Sequence, residues 1–138
     1  MELSDITTPA LAYLGDSVLE VCVRTYLVTE RGLSTSAHLN RASLDFVRAA
    51  AQSEAMGKIE PSLTEEEAAV YRRGRNMGHG NVPKSASVAE YRRATGMEVL
   101  FGYLSLTGRG DRMDYLFRLG YGLISADTPP NQNHQEND

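Results

Sequence analysis

The chain reads as all-α, a single domain of about five main helices. Three observations predict this. Apolar residues recur at helical spacing in almost every segment, as in Leu11, Leu14, Val18, Val21 and Cys22. No stretch alternates with the two-residue period of a half-buried strand. Capping residues and breakers also fall where such helices need to start and stop. At 138 residues the chain can bury one core but not also carry a separate recognition domain. The domain is placed at residues 1–125, and the remainder, 126–138, is a polar tail rich in Asn, Gln, Asp and Pro that has nothing to bury and is expected to be disordered.

The first helix is expected to begin near Thr7 or Thr8, with one threonine capping and Pro9 in the first turn, and to run to about Thr29 before Gly32 stops it. Ser34 or Ser36 can cap a second helix, continuous through Leu39, Leu44, Val47 and Ala51 to about Ile59 and ended by Pro61. Thr64 followed by Glu65, Glu66 and Glu67 is a capping box that starts a third. Carboxylates in a first turn already complement the helix dipole, so these three are read as cap and dipole residues rather than as metal ligands. Residues 74–83 hold four breakers in ten positions and are expected to form a loop. A fourth helix follows from about Ser87 to Leu106, and Gly108 and Gly110 separate it from a fifth near Asp111 to Ile124.

Net charge is −4, an average that conceals segregation. Residues 1–70 carry 11 acidic and 5 basic side chains, residues 71–93 carry 1 and 6, and residues 94–138 carry 6 and 3. A basic stretch is thus set into an acidic body, and local charge, not the total, focuses the field on an anionic partner. Cys22 lies in an apolar run and reads as a small hydrophobe. With one cysteine, neither an internal disulfide nor a cysteine zinc site can form within the chain. The first residues lack a basic stretch followed by an apolar core, and no apolar run approaches the roughly 20 residues that span a bilayer, so a cytoplasmic protein away from membranes is expected.

Two places put a carboxylate inside an apolar helical setting. In Tyr13-Leu14-Gly15-Asp16-Ser17-Val18-Leu19-Glu20, a mid-helix Gly15 gives up about 1 kcal/mol of helix propensity, which suggests close approach of another helix or a ligand. Asp16 and Glu20 share one face, with Arg24 a turn further along. In Thr95-Gly96-Met97-Glu98-Val99-Leu100-Phe101-Gly102, Glu98 stands beside glycines that permit tight packing. Two readings stay open on spacing alone. Each acid pairs with an arginine on a neighbouring helix, or the two helices pack at their glycines and bring both carboxylates to one hard divalent cation. His38, His79 and His134 lie in unrelated contexts, and no serine sits in a nucleophile-elbow pattern.

Leu11-Ala12-Tyr13-Leu14-Gly15-Asp16-Ser17-Val18-Leu19 resembles the ribonuclease III signature, whose core reads F-L-G-D-[SA]-V-L, and Met97-Glu98-Val99-Leu100-Phe101-Gly102 resembles the second acidic motif, F-E-A-L-I-G. Between them, Arg72-Arg73-Gly74-Arg75-Asn76, Pro83-Lys84 and Tyr91-Arg92 are similar to the pattern of the Mini branch of that family, which lacks a double-stranded RNA-binding domain. The likeness runs from about residue 7 to 122. It implies a homodimeric, helical endoribonuclease that cuts double-stranded RNA in a valley across two subunits and leaves 5′-phosphate and 3′-hydroxyl ends. Asp16 and Glu98 are the implied catalytic residues and ligands of Mg2+, with Mn2+ as substitute; precursor 23S ribosomal RNA is the implied substrate. The chain departs from the full-length pattern at Pro9, Ala12 and Thr95, where that pattern has acids. Glu20, waters and substrate phosphates are candidates to complete the metal shell. A non-catalytic RNA-binding or ribosome-associated module on the same fold is the alternative.

Arg and Lys neutralise phosphates, Asn and backbone amides donate to phosphate or 2′-hydroxyl groups, and glycines let an element follow a groove. Together with the resemblance, this marks Arg72, Arg73, Arg75, Asn76, Lys84 and Arg92 as the expected RNA contacts.

Overall fold

The computed structural model describes residues 2–78, 82, 84 and 86–126. The tail beyond Ala126, and His79, Gly80, Asn81, Pro83 and Ser85 of the expected loop, lie outside the described residues. Among the described residues six α-helices make up the fold: α1 Thr8–Thr29, α2 Ser36–Val47, α3 Ala49–Ile59, α4 Glu65–Arg75, α5 Val88–Leu106 and α6 Gly110–Gly120. Short 3-10 turns occupy Leu3–Asp5 and Glu60–Ser62, and no strand occurs among the described residues. None of the described helices is long and apolar enough to cross a membrane.

Thr7 caps α1, its Oγ1 accepting from the Ala10 N–H at 3.2 Å, with Pro9 in the first turn. Such a cap contributes about 1 kcal/mol. Past Glu30, Gly32 adopts φ +65°, a conformation costly for a side chain with a Cβ, and turns the chain away. The expected second helix is two helices. Arg48 is extended at φ −64°, ψ 146° and divides α2 from α3. The physical reason is tertiary. The Phe46 carbonyl, which an unbroken helix would give to a backbone amide, instead accepts from the Tyr121 hydroxyl at 2.7 Å. The break also lets α2 pack on α1 while α3 packs on α5 and α6. Thr35 caps α2, rather than Ser34 or Ser36, with its Oγ1 accepting from the His38 N–H.

The box at Thr64 forms as expected: Thr64 Oγ1 accepts from the Glu67 N–H at 3.1 Å, and Glu67 Oε1 from the Thr64 N–H at 2.9 Å. Gly74 and Arg75, expected in a loop, are the last turn of α4, and Asn76 is its C-cap. Gly74 serves packing there, since a Cβ would meet Val99 Cγ2 at 2.7 Å and the Gly96 Cα at 2.9 Å. A second reciprocal box, Ser87 with Glu90, starts α5. The last helix ends at Gly120, short of the expected Ile124, because Gly122 turns left-handed at φ +71°.

The hub is α5, which packs against α1, α3, α4 and α6. Its Met97, Leu100, Phe101 and Leu104 are fully buried with Leu19, Val23 and Leu27 of α1, Met56 and Ile59 of α3, and Leu116 and Phe117 of α6. Each such side chain contributes about 1.5–3 kcal/mol by leaving water. Phe46 packs against Tyr26, Phe117 and Tyr121 in an aromatic cluster. Cys22 is half-buried against this core, and burial, followed by the charge of Asp114, pushes its thiol up to about 11, as suits a packing residue.

Candidate active site

α1 and α5 meet backbone to backbone. A Cβ on Gly15 would lie 1.6 Å from the carbonyl oxygen of Glu98, and one on Gly102 would lie 2.3 Å from the Leu11 carbonyl oxygen. Only glycine permits this crossing, which explains why mid-helix glycines are kept despite their helix cost. The contact decides the chemistry, because Asp16 follows Gly15 directly and Glu98 is the residue against which Gly15 rests.

The two carboxyl groups therefore adjoin, close enough for Asp16 to act on Glu98. Burial first, then the side chain of Asp16 and its charge, push Glu98 from its ordinary value of 4.5 up to about 8. Like charges brought this close cannot both ionise without cost, so a proton stays on Glu98 at neutral pH. Among the described residues neither acid pairs with an arginine or lysine. Of the two readings left open by spacing, the structure has the meeting of the acids.

Both carboxylates line an open cavity of about 340 Å³ together with Pro9, Ala12, Tyr13, Met77, Gly78, Tyr91 and Thr95. Pro9, Ala12 and Thr95, the three positions at which the chain departs from the full-length acidic pattern, thus border the same space. Thr95 donates its hydroxyl to the Tyr91 carbonyl at 2.9 Å. Among the described residues no group of three or more His, Cys, Asp or Glu forms. Glu20 turns along its own helix to accept from Arg24 Nε at 3.1 Å. The donor set suits a hard divalent cation that takes one or two carboxylates and keeps several waters, for which the cavity has room. Two of the three glutamates in the first turn of α4 are occupied otherwise: Glu66 binds Arg109 and the Tyr103 hydroxyl, and Glu67 binds Arg112.

The six expected RNA contacts divide. Arg75, Asn76 and Arg92 line a second cleft of about 420 Å³ with Glu60, Tyr71, Ala89 and Arg93. Arg73 donates to Thr8 Oγ1 at 3.0 Å, tying α4 to the start of α1. Arg72 and Lys84 are exposed and line neither cavity. Tyr13, Tyr91 and Arg93 are lining residues that motif reading overlooked. Helical spacing holds the signal, since 9, 12, 13 and 16 share one face of α1, and 91, 95 and 98 one face of α5.

This helical fold is that of a nuclease domain: the Ribonuclease III domain model matches residues 9–109. The chain is 49% identical over 115 residues to Mini-ribonuclease 3 of Symbiobacterium thermophilum, spanning 83% of this chain and 87% of that one. It is 35% identical over 136 residues to Mini-ribonuclease 3 of Clostridium tetani, spanning 99% and 88%. Its fold is similar to the crystal structure of a Fusobacterium nucleatum protein, with TM-score 0.77, 27% identity and coverage of 87% and 96%. The chain belongs to the ribonuclease III family, within its Mini-ribonuclease 3 branch, and is an endoribonuclease of that class.

Proposed function

We propose that the protein cuts double-stranded RNA in a magnesium-dependent hydrolysis, with Asp16 and Glu98 as the carboxylates that hold the metal and manganese as its substitute. The observation that carries this reading is the meeting of two acids in an open cavity, with no cationic partner among the described residues. Such a pair costs stability, and a strongly perturbed carboxyl such as Glu98 in a cleft is a functional-site candidate. When bound, the metal supplies an activated water and stabilises the charge that grows on the phosphodiester. Asp16 and Glu98 face each other across the helix crossing, and Glu98 must give up its proton for both to bind a cation. The glycine contact holds the two at fixed separation.

Family membership supports the precursor of 23S ribosomal RNA as the substrate, cut in the cytoplasm to leave 5′-phosphate and 3′-hydroxyl ends. Arg72, Arg73, Arg75, Asn76, Lys84 and Arg92 contact phosphates and 2′-hydroxyls, reading shape rather than sequence. The working form is a homodimer, because one small domain offers little groove and a two-fold axis doubles it. The face of α1 carrying Tyr13, Val21 and Val28, exposed by 84%, 63% and 53%, is the interface.

Asp16→Asn and Glu98→Gln each slow magnesium-dependent cutting of a long RNA duplex by roughly a thousandfold, while duplex binding persists. Magnesium raises the melting temperature of the unmodified protein but not of Glu98→Gln. Cutting at the normal rate in both variants removes the assignment.

A further inference from the structure

We propose, resting on the magnesium reading above and deepening it, that Thr95 is a positioning residue of the cutting site, its hydroxyl oxygen accepting a hydrogen bond from a water in the shell of the metal that Asp16 and Glu98 hold. The observation behind this is a buried oxygen with only part of its bonding capacity used. Thr95 is 6% exposed and lines the cavity of the two acids. Its Oγ1 donates to the Tyr91 carbonyl at 2.9 Å. A hydroxyl has one hydrogen and two acceptor lone pairs, so with its hydrogen committed to its own helix Thr95 can only accept. Among the described residues no group donates to it.

Other buried oxygens of the chain are matched. Ser53 Oγ accepts from Arg93 Nη1 at 3.1 Å, and both carboxylate oxygens of Glu67 accept from Arg112. A buried acceptor without a donor is costly, which sets Thr95 apart. Helix stability does not account for it either. A β-branched residue in mid-helix lowers propensity, and a hydroxyl bonded back to the carbonyl four residues earlier loosens the helix. Thr29 and Thr107 make the same bond, but at the ends of α1 and α5, whereas Thr95 makes it inside an unbroken α5.

The chemistry of the two partners is complementary. A water bound to a divalent cation turns its oxygen to the ion and its hydrogens outward, so the groups around it must accept, and magnesium keeps several such waters. Thr95 offers a neutral acceptor, where a third carboxylate would add charge beside two acids that already repel. Its placement is fixed from both sides. Thr95 and Glu98, three residues apart, share one face of α5. Gly96 is pressed against α4, where a Cβ would lie 2.6 Å from the Tyr71 ring, and the Glu98 carbonyl is pressed against Gly15 of α1. Between these two crossings the backbone that carries Thr95 has little room to shift.

The test compares Thr95→Val, which keeps the branched shape and loses the oxygen, with Thr95→Ser, which keeps the oxygen. Magnesium is titrated against the melting temperature of each protein in the absence of RNA. The midpoint of the magnesium-induced rise moves about tenfold higher in Thr95→Val, as loss of a group that orients a metal's ligands requires, and returns close to that of the parent in Thr95→Ser. The magnesium needed for half-maximal cutting of a long RNA duplex moves in parallel. A merely structural role would lower the metal-free melting temperature of Thr95→Val and leave the midpoint where it was, and that result overturns the inference. A midpoint raised equally in Thr95→Ser overturns it too, since it assigns the loss to packing of the methyl group. Should Thr95→Val not fold, Thr95→Ala is read in the same way. The two failures are distinguishable: an unmodified protein that neither gains stability from magnesium nor cuts sinks the parent reading and Thr95 with it, whereas normal magnesium dependence in parent and Thr95→Val alike sinks the role of Thr95 alone.

Discussion

Glu67 and Glu98 both stand where two helices pack, yet they meet opposite partners. Glu67, at the start of α4, is fully buried, and Arg112 of α6 embraces it with Nε on Oε2 and Nη2 on Oε1, both at 2.9 Å. The Thr64 amide supplies a further donor. Burial pushes this carboxyl up, but the bonds from Arg112 and Thr64 outweigh it and hold it below the ordinary range. Glu98, half-buried on α5, meets Asp16 and is driven up to about 8. One acid is matched and ties α4 to α6, whereas the other meets a like charge. The lesson is that burial alone does not distinguish scaffold from site. The sign of the neighbour does.

The comparison breaks most completely at Gly15. In Gly15→Ala the new Cβ collides with the Glu98 carbonyl oxygen, 1.6 Å away, and backbone cannot yield as a side chain tip can. The helices must part, at a cost of about 5 kcal/mol or more, a large share of a small domain's stability. The expected outcome is loss of cooperative melting, and a melting temperature within about 2 °C of the parent would refute the close crossing.

Next in size is Glu67→Gln, which leaves Arg112 uncompensated and weakens the capping box. It should lose about 2–3 kcal/mol in urea denaturation, less than for a wholly buried pair because Arg112 keeps some contact with water. A change below about 0.5 kcal/mol would make Glu67 a bystander.

Smallest, and opposite in sign, is Glu98→Gln in the metal-free protein. A folded-state value of about 8 against the ordinary 4.5 means that stability from this group is present below pH 4.5 and lost as pH rises to 8. For Glu67, whose value is lowered, stability is present above the ordinary carboxylate range and lost as pH falls. Replacing Glu98 should therefore gain about 1–2 kcal/mol at pH 8, gain nothing at pH 4, and flatten the decline between them. Destabilisation at pH 8 would show that the acids do not repel in the folded protein.

Local chemistry makes much of the fold legible. Thr7, Pro9 and Gly32 bound α1, and the Thr64 box starts α4, because a cap involves only a few neighbouring residues. The break at Arg48 could not be read, since nothing in Phe46-Val47-Arg48-Ala49 disfavours a helix. It exists because Tyr121, far along the chain, takes the Phe46 carbonyl. Gly74 misleads for the converse reason, as a residue that breaks helices in isolation is held helical by what packs against it. At the site, motif and spacing single out Asp16 and Glu98, while grouping Arg75, Asn76 and Arg92 apart from Arg72 and Arg73 needs the positions of α4 and α5 together.

By itself, then, the sequence determined the helical class, most helix starts, the segregation of positive charge and the identity of the two acids, all properties of residue type and short-range periodicity. Only the tertiary structure decided whether those acids face a guanidinium or each other. That outcome turns on the few ångströms by which glycine lets one helix sink into another, and on contacts between segments far apart in the chain, which no local pattern encodes.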